Sequence, residues 1–435
     1  MLAVYRHMFT IPDLRKKILF TLMIFVIYRL GAAIPVPHAD LDAFQQLQQL
    51  GQEAGIFGLL NLFSGGALES FSVFSLGILP YITSSIIMQL LQVVIPRLQK
   101  LQEDGDQKTI TQWTRYLTIV LAVLQATTLS VLFANGTLTN GVSLIRDYSP
   151  SKASLIVVTM TAGTAFIMWL GEQITKRGVG NGMSLLIFVS IIAALPGQMG
   201  SLYLQTAEVG DWAKFSVMIG IFFGMIVAIL YVEQAQRRIP IQFAKRVRGR
   251  RVMGGQSTYI PLKVNTAGVI PVIFASSVLT FPALLVTIIP AQNSSLMIAV
   301  RGWVDEHLGL SQGQTWTYIF LLFFLVVFFT YFYTAIQFDP HKQAESIQRQ
   351  GGFVPGVRPG TATEKHLKQI LTWITLPGAL FLGFITILPA LFAMFWNLQI
   401  AFSGVSLLIV TGVALETMKQ IESQLTLRNY EGFLS

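Results

Sequence analysis

Of the 435 residues, 53% are hydrophobic and only 12% charged, with a mean hydropathy of +0.61 and a net charge of +9. A soluble globule carries about 25% charged residues, so this chain cannot coat several water-facing domains, and a disordered or nucleic-acid-coating polymer is excluded by the same balance. Cysteine is absent, which removes disulfide frameworks, thiolate metal sites and cysteine nucleophiles together.

In chain order, Arg6, Arg15, Lys16 and Lys17 lead into an apolar stretch that superficially resembles a secretory leader. It lacks a small-residue cleavage site and is one of ten such segments, so it is read as a retained first span. About 20 apolar residues cross about 30 Å of hydrocarbon. The ten segments run from Ile18 to Ala33, Phe71 to Val94, Tyr116 to Ala134, Ala153 to Leu170, Ser184 to Leu195, Phe215 to Gln234, Ala267 to Pro290, Thr317 to Ile336, Ile370 to Asn397 and Ser403 to Met418. The fifth is bounded by Gly180-Asn181-Gly182 and Pro196-Gly197. Between the first two lies Gly55-Ile56-Phe57-Gly58-Leu59-Leu60-Asn61-Leu62-Phe63-Ser64-Gly65-Gly66, too short to span. It reads either as a re-entrant segment folded back from the outer side or as a helix lying on the outer leaflet.

Lys and Arg collect on the cytosolic side of a membrane protein. With the N-terminus inside, that side receives 25 of the 30 basic residues; Arg29, Arg146, Lys152, Lys214 and Arg301 fall outside. Acidic residues divide 12 to 9, so the inner surface carries +13 and the outer −4. Both termini are expected in the cytosol. Ten spans divide into two sets of five, and an odd set forces the second to enter with opposite orientation, the arithmetic of an inverted repeat. No residue-level match between the two sets stands out in the sequence.

Functional signals are unevenly spread. The five histidines fall in loops or tails, and Glu172, Glu233 and Glu416 sit near cytosolic span ends. An ion-driven carrier keeps ionisable groups at mid-membrane, and none is evident. Span polar residues such as Thr83, Ser84, Gln89, Gln125, Ser276 and Ser277 are mild, and each is also compatible with simple helix packing. Pro80 is expected to kink the second span, and Gly268, Pro271 and Pro282 the seventh. Two large inner loops carry Arg237, Arg238, Arg246, Arg248, Arg250 and Arg251, and Phe338 to Gly360 with Arg358. Such loops serve topology and attract anionic lipid, and arginine also suits bidentate contacts with phosphate or carboxylate on a docked partner. No phosphate-binding loop, zinc-peptidase or serine-hydrolase motif occurs. Any work must be powered from elsewhere. On the residues alone, a docking platform for an RNA-bearing or acidic partner stands beside the plain reading of topology and lipid attraction.

Leu76-Gly77-Ile78-Leu79-Pro80-Tyr81-Ile82-Thr83, Gly178-Val179-Gly180-Asn181-Gly182, Ala267 to Ser277, Phe353-Val354-Pro355-Gly356-Val357-Arg358-Pro359-Gly360 and Ser406-Leu407-Leu408-Ile409-Val410 together resemble the SecY family, the central subunits of the bacterial Sec protein-conducting channel. The similarity runs from Ile11 to Phe433. It implies an all-α polytopic protein with ten transmembrane helices in two pseudo-symmetric inverted halves, plus a short plug helix. It also implies a passive channel, without catalytic residues, cofactor or metal, that moves unfolded polypeptides across the bacterial inner membrane and releases apolar segments sideways. The implied pore ring is Ile78, Ile82, Ile187, Ile273 and Ile409; the plug is Ile56, Phe57, Leu59, Leu60, Asn61, Leu62 and Phe63. Thr83, Gln125, Ser276, Ser277 and Phe281 fall at the lateral gate, and Arg246, Arg248, Arg250, Arg251 and Arg358 at the docking surface. Implied partners are SecE, SecG, the ATPase SecA, the ribosome and signal-bearing preproteins, with anionic lipids and without DNA. The expected divisions are 1–17 (cytosolic), 18–200 (N-terminal half), 201–236, 237–263 (inner loop), 264–336, 337–369 (inner loop), 370–418 and 419–435 (cytosolic).

Overall fold

The structure is a computed structural model that describes residues 11–40, 64–68, 70–134, 145, 148–210, 212–243, 246–248, 251–253, 257–288, 295–307, 315–396 and 403–431. Its elements are helices α1 (Pro12–Ala32), α2 (Leu79–Val94), α3 (Pro96–Glu103), α4 (Gln107–Ala134), α5 (Pro150–Arg177), α6 (Gly182–Val209) and α7 (Trp212–Gln234), strands β1 (Gln236–Phe243), β2 (Arg246–Arg248), β3 (Arg251–Met253) and β4 (Ser257–Lys263), helices α8 (Ile270–Ile288), α9 (Ser295–His307), α10 (Trp316–Gln337) and α11 (Pro340–Arg349), strand β5 (Gly352–Phe353), and helices α12 (Thr361–Trp396) and α13 (Gly404–Glu431).

Each of the ten expected segments holds a helix: α1, α2, α4, α5, α6, α7, α8, α10, α12 and α13. Seven helices among the described residues are by themselves long and apolar enough to cross a membrane, and α2 passes that test only together with α3, beyond a bend of 105°. α1 falls short because it opens on Arg15, Lys16 and Lys17 and closes on Arg29.

The helices show little contrast between faces because both faces are apolar. On α1, Leu14, Thr21, Ile24, Tyr28 and Ala32 are buried at helical spacing, while Leu19, Leu22, Met23, Val26 and Leu30 point outward. An outward face of this kind in water would aggregate; in hydrocarbon it is at rest. Within the first half the packing is serial, α2 on α4, α4 on α5, α5 on α6, and the second half repeats it with α8 on α10, α10 on α12, α12 on α13. Across the halves α13 meets α6, and α8 meets α2 and α4, while α13 also meets α7 within the second half.

The expected proline kinks at Pro80 and Pro271 are corrected. Both prolines sit in the first turn of their helices, where a missing backbone donor leaves no bond broken. The second span is therefore helical only from Leu79, and Phe71 to Ile78 forms buried turns instead. The same local design recurs in each half. Gly77 (φ 56°) precedes Ile78-Leu79-Pro80, and Gly268 (φ 66°) precedes Val269-Ile270-Pro271. Ile78 O accepts from Tyr81 N and Ile82 N, and Val269 O accepts from Val272 N and Ile273 N. A Gly-aliphatic-aliphatic-Pro start is thus the residue-level match between the halves. Conversely, Pro196 does not end the fifth span, since α6 runs through it to Val209. Neighbouring helices tolerate such a proline where they compensate the freed backbone.

The inner loops are not loops throughout. β4, β1 and β5 form one sheet, with β1 antiparallel to both; Gln242 pairs with Phe353, and Phe243 with Gly352. Ile239, Ile241 and Leu262 from the first loop pack with Ala344, Ile347 and Val354 from the second and with Leu367 and Ile370 of α12. The two expected loops are one body with its own core.

Candidate functional site

A cavity of about 820 Å³ opens where α6, α7, α8 and α13 converge. Its mouth is polar, with Asn181, Glu233, Lys263, Asn265, Glu416 and Lys419, and its apolar end is formed by Ile187, Ile273 and Ile409. The gradient follows from helical spacing. Asn181, Ser184 and Ile187 descend α6, while Lys419, Glu416, Val413 and Ile409 descend α13. Residues three or four apart share a helix face, so each helix contributes a stripe that turns from polar to apolar with depth.

Three of the expected ring residues, Ile187, Ile273 and Ile409, line the cavity at that depth. Ile78, Ile187, Ile273 and Ile409 are buried in one apolar cluster, and Ile82 packs against it. They come from α2, its preceding turn, α6, α8 and α13, four strands of chain far apart in sequence. Of the expected plug, Ile56, Phe57, Leu59, Leu60, Asn61, Leu62 and Phe63 lie outside the described residues. Its downstream end is held in place. Tyr28, fully buried, shares a 2.6 Å hydrogen bond with Ser190 Oγ and donates to Ser64 O, and Arg29 Nη1 donates to Gly65 O at 2.7 Å. Gly65 has φ 70°, and a Cβ there would lie 2.8 Å from Ser190 Cα. In the sequence, Arg29 is legible only as an outer charge, and nothing singles out Tyr28 or Ser190. An Arg or Tyr at the end of an apolar span is the one signal that could have drawn attention to them.

At the expected gate, α8 packs against α2 and α4. Thr83 Oγ1 donates to Leu79 O at 2.9 Å and Ser276 Oγ to Ile273 O at 2.9 Å, each within its own helix. Gln125 on α4 and Ser277 on α8 are half-buried. Phe281 is on α8, but its side chain lies outside the described residues. Ser84 Oγ donates across the α2–α4 contact to Thr114 O at 2.7 Å. Arg115 and Glu172 join α4 to α5 through two hydrogen bonds of 2.5 and 2.6 Å.

On the surface expected to face inward, Arg246, Arg248 and Arg251 belong to the β2–β3 hairpin, Arg248 pairing with Arg251, while Arg250 lies outside the described residues. Arg358 is exposed after a turn closed by Val357 N to Val354 O, and its carbonyl accepts from Thr363 Oγ1 at 2.9 Å. Among the described residues, no three of His, Asp and Glu are grouped as metal ligands would be.

A SecY family model matches residues 72–418. Among curated proteins, "Protein translocase subunit SecY" of Streptomyces scabiei is 50% identical, and the protein of the same name from Mycobacterium tuberculosis 48% identical, each alignment covering 100% of both chains. The chain belongs to the SecY family. The SecY fold is also seen in a solved structure described as "The structure of a protein conducting channel", with TM-score 0.63 and 17% identity over 94% of this chain and 92% of that one. The Sec61 chain of a canine ribosome-channel complex aligns with TM-score 0.61 and 16% identity, again covering 94% and 92%. As a SecY protein, this chain is a multi-pass membrane protein and the channel subunit of a protein translocase, not itself an enzyme.

Proposed function

We propose that unfolded polypeptides pass through the cavity and between Ile78, Ile82, Ile187, Ile273 and Ile409, which close around them and seal the resting pore. The observation that supports this most is that Ile187, Ile273 and Ile409 line the apolar end of a polar-mouthed cavity, with Ile78 and Ile82 in the apolar cluster they belong to. Branched apolar groups adapt to a passing chain of changing shape, and a narrow apolar ring resists ions by dewetting, without a charged filter. Ile56 to Phe63 plugs the outer side, tethered at Ser64 and Gly65 by Tyr28 and Arg29. The seam between α8 and α2–α4, which carries Thr83, Gln125, Ser276, Ser277 and Phe281, opens sideways to release signal and membrane segments. Buried polar contacts between membrane helices are worth about 0.6 kcal/mol on average, so an inserting apolar helix can compete with them.

The chain acts in the bacterial inner membrane with both termini in the cytosol, held by SecE and SecG and divided into the two halves and inner loops given by the sequence reading. SecA or a translating ribosome supplies the work, docking on Arg246, Arg248, Arg250, Arg251 and Arg358, and anionic lipids gather at the same basic face. Ribosome docking through phosphates weakens steeply with salt. The deciding experiment is reconstitution with SecE and SecA, scoring ATP-dependent import of a preprotein into vesicles. Import is expected, and its absence with all components folded would overturn the channel reading. Deleting Ile56 to Gly65 is expected to raise ion conductance in planar bilayers; an unchanged conductance would remove the plug.

A further inference from the structure

The docking sheet and the gate helix are joined by a very short connection. The β1–β4 ladder ends at Gln236 with Lys263 and is extended by Val264 N donating to Ala235 O at 3.0 Å. The first turn of α8 closes on Val269 O. Only Asn265 to Gly268 lie between. Asn265 is 3% exposed, and its Nδ2 donates both to Glu233 Oε1, at the end of α7, at 2.5 Å and to Gly268 O at 3.0 Å. One amide therefore ties together α7, the exit of the sheet and the start of α8. From the other side, Gly378 of α12 approaches so closely that a Cβ there would lie 2.4 Å from Val264 O. Gly268 differs in kind: its φ is 66° and a Cβ there would meet nothing within 4 Å. A clamped residue stands three positions before a glycine with open space beside its Cα.

We propose that Asn265 is a positioning residue that couples the docking sheet to the gate helix. Held by Glu233, its amide keeps α8 in the sealed setting at rest and makes α8 follow the sheet when a docked partner displaces it, with Gly268 as the pivot. The inference deepens the channel reading above and rests on it. If Asn265 merely closed the turn before α8, its bond to Gly268 O would suffice and the carboxylate of Glu233 would add nothing. A hydrogen bond to a carboxylate is instead stronger than one between neutral groups, so it can bind two elements together.

The test removes the acceptor and spares the turn. Glu233→Leu takes away the carboxylate that Asn265 Nδ2 meets and leaves the bond to Gly268 O in place, while Glu233→Gln restores a neutral acceptor at the same position. Chloride leak from vesicles holding the purified complex is the readout, with Ile409→Ser in the apolar ring as reference and thermal unfolding recorded for every variant. Glu233→Leu is expected to raise resting leak about tenfold, the population shift that loss of a charged hydrogen bond brings, and Glu233→Gln to leak less than Glu233→Leu. If Ile409→Ser leaks and Glu233→Leu does not, the coupling is refuted and the channel reading stands. A Glu233→Gln variant that leaks as much as Glu233→Leu also refutes it, since the hydrogen bond is then not what holds α8. If Ile409→Ser does not leak either, the sealing role of the ring fails, and the coupling with it.

Discussion

At the scale of single residues, close backbone approach decides more than polarity does. Gly404, in the first turn of α13, faces α12 so tightly that a Cβ would lie 2.1 Å from Ile385 O. Backbone cannot swing aside as a side chain can, so Gly404→Ala is expected to destabilise the protein by about 1–3 kcal/mol, read as a lower thermal midpoint in detergent. An unchanged midpoint would contradict the packing. Tyr28 makes a second case. Tyr28→Phe removes the hydroxyl shared by Ser190 and Ser64 O while keeping the ring stacked on Phe74, and a loss of about 1–2 kcal/mol is expected because buried polar atoms are left without that partner. Neither site is legible from the sequence. A glycine in an apolar span looks like any other, and Tyr28 meets Ser190 across 162 positions of chain.

At the scale of elements, the starts and stops of helices follow local chemistry that a sequence does carry. Asn181 caps α6 through its Oδ1 and Met183 N, Asp339 caps α11 through His341 N and Lys342 N, and Pro150 opens α5. Asp106 precedes α4, and hydrogen bonds from the hydroxyl and backbone N–H of Thr109 hold its carboxyl below its ordinary pKa. A carboxyl whose folded-state pKa is lowered stabilises the fold fully above its unfolded pKa and loses that contribution as pH falls through the folded value. Asp106→Ala is therefore expected to speed amide exchange in the first turn of α4 at neutral pH, with the difference vanishing in acid. A difference that persisted in acid would mean that the ionised cap is not what holds the turn. Proline position was read less well. Pro80 and Pro271 were expected as kinks because a window of hydropathy cannot tell where a helix begins, and the buried turns from Phe71 to Ile78 are as apolar as the helix that follows.

At the scale of the whole molecule, the inner face acts as one piece. β1 of the first inner loop pairs with β5 of the second, over a core that includes Ile241, Ile347 and Leu367. Ile241→Asp puts an unpaired charge into that core, for which a cost of several kcal/mol is expected. Both inner loops should then become protease-sensitive together while the helices stay protected. Cleavage confined to residues 237–263 would show that the loops fold independently. In the coupling proposed for Asn265, the same unity would carry a displacement anywhere on the sheet to α8 through the short connection at Asn265 to Gly268.

The sequence alone determined that the chain is a membrane protein and which ten segments hold its apolar helices, though not the start of the second, at Leu79, nor the end of the fifth, at Val209. These are properties of composition and local order, set by the transfer of side chains between water and hydrocarbon. Motifs around Gly77, Gly180, Gly268, Gly356 and Ile409 also carried the family. Tertiary structure decided what distance along the chain hides. It brought five isoleucines into one cluster and joined two loops in one sheet. It also set Asn265 between Glu233 and the start of α8. The +9 charge was legible at once; its division between a charge-balanced cavity mouth, where Glu233 and Glu416 face Lys263 and Lys419, and a separate basic platform was not. That division depends on contacts between helices that meet only when the chain is packed.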